Sequence, residues 1–331
     1  MKKIINNPHN VVKDMLQGLV AAHPELRILP ETQVVVRKDV PVPNKVGLIS
    51  GGGSGHEPAH AGFVGPGMLD AACAGDVFTS PSVDQMLAGI KAVNSGKGVL
   101  IVAKNYTGDN LNFDLAIDMA VAQGIGVEKV VVADDVAVGE GGRTTGRRGV
   151  AGTVFVHKIA GAKAAEGASL DEVKAAALQA IANVRSFGMA LAPCTIPSVG
   201  KPSFQLADNE IEIGIGIHGE KGVKRAQLIP ADRLAIELSE PILQDLPYQE
   251  GAEVAVMVNG MGATPLMELY ILFNELAKIL AQKKINIYKA FVGEYMTSLE
   301  MSGCSVTLLK LTPVLKRLLD YPANTPGFKQ H

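Results

Sequence analysis

The sequence predicts an α/β protein of two domains, the first a mostly parallel three-layer sheet and the second a mixed sheet with helices. Three observations predict it. Short continuous apolar runs alternate with stretches of helical periodicity, as expected for strands buried on both faces between crossover helices. The chain has 331 residues, 47% of them hydrophobic, which is long for one core and comfortable for two. A break at 186–202 contains Pro193, Pro197, Gly200 and Pro202, and divides 1–190 from 191–331.

The elements follow in order. Val11, Val12, Met15, Leu16, Leu19 and Val20 fall at helical spacing, so a helix is expected over 8–22, with Asn7 as its cap. Strands are expected at 33–36, 46–49, 99–103 and 130–132. A helix over 111–123 is stopped by Gly124. Two more helices are expected over 150–165 and 170–184. In the second half, strands are expected at 211–217, 254–258, 287–292 and 306–309, with a helix over 265–281 and a final short helix.

Composition narrows the function. The formal net charge is -2, aromatic residues make up 5% and Trp is absent. No basic arm or stacking platform is present, so nucleic acid is not expected as a partner. Cys73, Cys194 and Cys304 are few, odd in number and far apart, as in reduced cytoplasmic proteins, and none has the spacing of a zinc site. The start, MKKIINNPHN, lacks an apolar signal-peptide core, and no run of ~20 apolar residues could span a membrane. A cytoplasmic location is expected.

Four stretches could carry chemistry. GGGSGH at 51–56 follows a strand, and its glycines let backbone N–H groups approach a ligand. It is not a nucleotide P-loop, because no Lys follows the glycines. Gly96-Lys97 fails too, with Lys91 in place of the first glycine and Gly98 in place of Ser/Thr. GIGIHG at 214–219 fits the dinucleotide pattern G-x-G-x-x-G only as letters. Ile211, Ile213, Ile215 and Ile217 alternate, so a strand is expected to run through those glycines rather than turn into a helix. Glu210, Glu212, Gly214, Gly216 and His218 would then share the opposite face, leaving room beside a histidine for a small ligand. KNYTGD at 104–109 ends a strand, and Asp109 either serves a site or caps the next helix. Arg143, Arg147 and Arg148 either grip an anion or form a solvated loop. Together, His56, His60, Lys104, Asp109 and His218 outline a polar site for something small, with no metal-ligand spacing.

These stretches resemble one family, the substrate-binding subunits of dihydroxyacetone kinases. GGGSGHEPAHAGFVGPGML at 51–69, FTSP at 78–81, KNYTGDNLNF at 104–113, DDVAV at 134–138 and GRRGVAGTV at 146–154 carry the resemblance in the first half. GKPSFQLADNEIEIGIGIHGE at 200–220, NGMGATPLMELY at 259–270 and TSLEMSG at 297–303 carry it in the second. The resemblance implies a fold like that of the DegV lipid-binding proteins, and a homodimer. It implies that His218 adds to the ketone carbon as a hemiaminal, that His56 and Asp109 handle protons, and that Gly53, Ser54, Gly55 and Lys104 contact the substrate.

The resemblance also implies division of labour. No cofactor is expected in this chain. ADP and Mg are expected on a separate nucleotide-binding subunit of the L type, itself recharged by a phosphotransferase subunit of the M type from phosphoenolpyruvate. Some family members act instead as transcriptional co-regulators. Covalent capture has a physical rationale. A ligand with so few heavy atoms can gain at most ~1.5 kcal/mol from each, and glycerol differs from the ketone only at its central carbon. An addition reaction needs a carbonyl, so it excludes glycerol by chemistry.

Overall fold

The computed structural model describes residues 2–139 and 146–331. Its frame is a pair of six-stranded sheets. The first contains β1 (Leu26–Ile28), β2 (Val34–Arg37), β3 (Gly47–Ser54), β4 (Ala71–Val77), β5 (Val99–Lys104) and β6 (Val127–Val132), in the order β1-β2-β4-β3-β5-β6. β4, β3, β5 and β6 run parallel, and β1 and β2 pair antiparallel at one edge. The second contains β7 (Val184–Ala192), β8 (Glu210–Ile213), β9 (Lys224–Gln227), β10 (Glu253–Gly260), β11 (Asn286–Gly293) and β12 (Ser302–Lys310), in the order β11-β10-β12-β7-β8-β9. Only β10 and β11 are parallel there, so this sheet is mixed.

Helices form three layers around the sheets. α2 (Val83–Val93) and α3 (Thr107–Val121) cover one face of the first sheet, with Met86, Ile90 and Phe113 packed on Val34, Ile49 and Ile101. α6 (Ala231–Asp245) and α7 (Leu266–Gln282) cover the outer face of the second through Leu238, Ile242, Leu272 and Leu276. Between the sheets lie α4 (Thr153–Ala165), α5 (Leu170–Asn183) and α8 (Pro313–Asp320), with α1 (Val11–Ala22) at the side. This shared core joins Leu48 and Val102 of the first sheet to Met257 and Leu309 of the second. The sequence of α4, TVFVHKIAGAKAA, has almost no polar face, and nearly every residue in it is buried. A helix apolar all round belongs between two layers. Truncating Phe155 in its first turn to Ala would cost about 3–5 kcal/mol.

Several sequence expectations shift. The division at 190/191 falls inside β7, which pairs with β12 from Val184 onward. β3 does not stop before the glycines. Gly51, Gly52 and Gly53 continue it and pair with Cys73, Ala74 and Gly75 of β4. A Cβ on Gly51 would lie 2.7 Å from the Cys73 carbonyl oxygen, so these are strand glycines that admit a close neighbour. The strand expected over 211–217 ends at Ile213. Gly214 turns the chain with φ of +78°, and the Val223 N–H donates back to the Ile213 oxygen at 2.8 Å. All four isoleucines are nevertheless buried.

Candidate active site

The site gathers where the carboxyl ends of β3 and β5 meet the loop that leaves β8. β3 delivers Gly52, Gly53 and Ser54, and the next residues carry His56. β5 ends in Lys104. Asp109 sits within the first turn of α3, buried, rather than ahead of the helix. His218 comes from the turn after β8, in the other half of the chain.

His56 is fully buried. Its Nδ1 lies 2.8 Å from the Thr297 carbonyl oxygen, and its Nε2 lies 3.0 Å from His218 Nε2. Phe78 stacks on the His56 ring, while Phe78 and Tyr106 meet the His218 ring edge-on. Burial pushes the His56 pKa well below its ordinary value, and His218 and Lys104 push it further down. His56 is therefore poorly able to hold a charge alone.

Lys104 is fully buried, and its Nζ has no hydrogen-bond partner. It lies 3.8 Å from Asp109 Oδ2 and 5.1 Å from the centre of the Tyr106 ring. Asp109 accepts a hydrogen bond from the Ser80 hydroxyl through its other oxygen. A Cβ on Gly52 would fall 2.8 Å from Lys104 Nζ, 3.4 Å from Asp109 Oδ2 and 3.5 Å from His60 Nε2. The missing side chain thus leaves a small space lined by an ammonium, a carboxylate and an imidazole, two of them unpartnered. A fully buried ammonium with a carboxylate 3.8 Å away but no hydrogen bond is costly, and a hydroxyl-bearing ligand would satisfy it.

All five of the sequence-selected polar residues therefore converge: His56, His60, His218, Lys104 and Asp109. Gly53, Ser54 and Gly55 run alongside, but the Ser54 hydroxyl donates to the Gly75 oxygen at 2.7 Å and the Gly55 N–H to Glu57 Oε1 at 3.0 Å. Any ligand contact from that stretch would come from its remaining backbone groups. Arg147 and Arg148 diverge, the first to Asp245 and the second to Asp135. Arg143 lies outside the described residues. Among the described residues, no group of His, Cys, Asp and Glu is arranged to hold a metal ion.

Sequence reasoning missed Glu220. Its Oε1 lies 3.0 Å from His218 Nδ1, and its Oε2 accepts the His218 backbone N–H at 2.9 Å. The signal was the His-x-Glu spacing itself. Phe78, Tyr106 and Thr297 were also missed, because aromatic walls and a backbone acceptor from a distant segment leave no local pattern.

Comparisons with known proteins identify the family. Residues 17–327 match the Dak1 domain model. The chain belongs to the Dak1 family. It is 55% identical over 94% of its length to the dihydroxyacetone-binding subunit of PTS-dependent dihydroxyacetone kinase 1 of Listeria innocua, covering 94% of that protein. It is 43% identical to the dihydroxyacetone-binding subunit of the PEP-dependent dihydroxyacetone kinase of Escherichia coli, over 99% of both chains. Among solved structures, the dihydroxyacetone kinase of C. freundii in complex with AMP-PNP and Mg2+ superposes with a TM-score of 0.93 at 37% identity, over 99% of this chain and 61% of that one. A dihydroxyacetone kinase operon co-activator superposes at 0.91, with 39% identity over 96% of this chain and 98% of that one. A DegV family protein of Corynebacterium glutamicum, 16% identical with a TM-score of 0.52 over 81% of this chain and 98% of its own, shows the fold alone. The resemblance read from the motifs to dihydroxyacetone kinase substrate-binding subunits therefore holds, as does the two-sheet α/β fold. No helix among the described residues is long and apolar enough to cross a membrane.

Proposed function

We propose that this chain is the dihydroxyacetone-binding subunit of a phosphoenolpyruvate-dependent dihydroxyacetone kinase, acting in the cytoplasm as a homodimer. It captures the ketone on His218 and presents a terminal hydroxyl to a separate subunit that carries ADP and Mg. That subunit is recharged in turn by an M-type phosphotransferase. The observation that carries the reading is the His218 Nε2 turned inward, 3.0 Å from His56 Nε2, beside the buried and unpartnered Lys104.

The steps use the chain's own groups. The lone pair of His218 Nε2 adds to the carbonyl carbon, the carbonyl π pair moves to oxygen, and a proton passes from His56 to that oxygen. The contact between the two rings favours His56 for this proton. Asp109 and Lys104 lie together, 3.8 Å apart, with Lys104 over the Tyr106 ring, which suits them to the terminal hydroxyl. Asp109 accepts its proton as the oxygen attacks phosphorus, while Lys104 offers N–H to that oxygen. Fixing the ketone covalently supplies the positional advantage.

Intact mass under native conditions tests the reading. Incubation with dihydroxyacetone should add the mass of the whole ketone, glycerol should add nothing, and His218→Ala should lose the gain completely. A gain of the ketone less one water would move the covalent bond to Lys104 as a Schiff base. No gain in the wild type would overturn the mechanism.

A second reading has support from the co-activator superposition: a regulator that binds the ketone and transfers nothing. Phosphoryl transfer in the presence of the nucleotide-bearing subunit separates the two, since a regulator would form the adduct without turnover.

A further inference from the structure

Glu220 touches no expected position of the substrate, yet the loop is built around its carboxylate. Both oxygens bond to His218, one at Nδ1 and one at the backbone N–H. A Cβ on Gly216 would fall 2.0 Å from Glu220 Oε2 and 2.6 Å from Arg148 Nη1. Only glycine admits both groups there, which accounts for one glycine of the false dinucleotide motif. Arg148 is itself pinned, donating from Nε to Asp135 at 2.8 Å and from Nη2 to the Gly214 oxygen at 2.8 Å. The loop thus holds a guanidinium close to the carboxylate.

Counting protons gives this arrangement a purpose. An ionised carboxylate only accepts, so His218 carries hydrogen on Nδ1. The Thr297 carbonyl also only accepts, so His56 carries hydrogen on Nδ1 as well. The two Nε2 atoms face each other at 3.0 Å, which as a hydrogen bond requires one proton between them. Two rings then hold three ring protons and one positive charge.

We propose that Glu220 is a positioning residue that fixes His218 with its hydrogen on Nδ1 and its Nε2 toward the ketone, and that balances the positive charge of the His56–His218 pair. The proposal rests on the hemiaminal reading and adds a charge balance to it. Before addition the charge is shared between the rings. During addition the Nε2–C bond forms, the carbonyl π pair moves to oxygen, and the shared proton travels through His56 Nε2 to that oxygen. Afterwards the positive charge resides on His218, substituted at Nε2 and protonated at Nδ1, against the same carboxylate. Burial opposes a charged Glu220, but the bond from His218, the charge of His218, a backbone bond and, last, the charge of Arg148 outweigh it and hold the carboxyl down at about 2.

The test uses the full chain with nitrogen-15 histidine. In the free wild type, both rings should be protonated at Nδ1, with one proton shared between the Nε2 atoms. Glu220→Gln should lose the shared proton at neutral pH, keep its melting temperature, and lower the adduct equilibrium about 10- to 100-fold, the worth of a charge-assisted hydrogen bond. Gly216→Ala should reproduce that loss with the carboxylate still present, and stands in if the first variant does not fold. An unchanged shared proton and an adduct equilibrium within twofold of the wild type would overturn the proposal. A wild type that forms no adduct would overturn the hemiaminal reading instead, and the shared proton would then judge Glu220 on its own.

Discussion

His56 meets His218 and His60 meets His157, each across a 3.0 Å nitrogen–nitrogen contact with the rings inclined at 76° and 69°. What surrounds the pairs differs. His218 keeps 19% of its side-chain exposure and is backed by Glu220. His157 lies on the all-apolar α4 with no exposure and with Nδ1 unbonded, and among the described residues no carboxylate is hydrogen-bonded to either ring of its pair. Burial drives the His157 pKa from 6.5 to about 3, aided by Lys104, and drives His60 well below its ordinary value, aided by Lys104 and His157. Burial depresses His56 as well, so the pairs differ in the carboxylate and the solvent opening at His218. A counter-charge and an opening to solvent, rather than ring geometry, decide which contact can do chemistry.

The largest effect that would sharpen this contrast comes from Asp109. If the first pair makes the adduct and Asp109 serves the hydroxyl, Asp109→Asn should leave the adduct mass unchanged. It should also lower phosphoryl transfer with the partner subunit about 10²- to 10⁴-fold, the span typical of general-base loss. Normal transfer would remove Asp109 from the chemistry. Loss of the adduct would instead tie it to the first pair.

The contrast also shows what a sequence can carry. The fold class was legible because apolar strands such as 99–103 and the apolar helix at 150–165 state their burial directly. β4 was not: AACAGDV is built of small residues, and its place in the sheet is set by the glycines of β3 rather than by its own propensity. His56, Lys104 and Asp109 were legible as strand-end polar residues among glycines. His218 was found with the wrong local structure, because isoleucine alternation continues past Ile213 while Gly214 turns the chain. Thr297 was invisible, since tertiary placement alone brings it to His56, whereas Glu220, two residues after His218, left a local spacing that was passed over.

Acid should break the second pair before the first. His60 and His157 remain neutral when folded, while the unfolded chain takes up protons below about 6.5. Their contribution to stability is full above that value and is lost as pH falls toward 3. The groups bearing on them are Lys104 on both rings and His157 and His56 on His60, and each of them deepens the refusal. Denaturant unfolding between about pH 7 and about pH 4 should show stability falling by up to ~1.4 kcal/mol per pH unit for each histidine. A flat profile would mean that the buried pair opens to protons without unfolding.

The smallest effect belongs to His157→Leu. At neutral pH the substitution removes the 3.0 Å partner of His60 Nδ1, leaving the Ser50 hydroxyl at 3.4 Å. That loss should cost about 1 kcal/mol. It also removes an unbonded buried nitrogen, which limits the cost. The variant should form the adduct as the wild type does, because His157 touches neither His56 nor Glu220. Its acid profile should be flatter by one histidine, so the two stability curves should converge as pH falls. Loss of the adduct in this variant would join the two pairs into one proton-carrying unit, and the division between a reactive pair and an inert one would have to be abandoned.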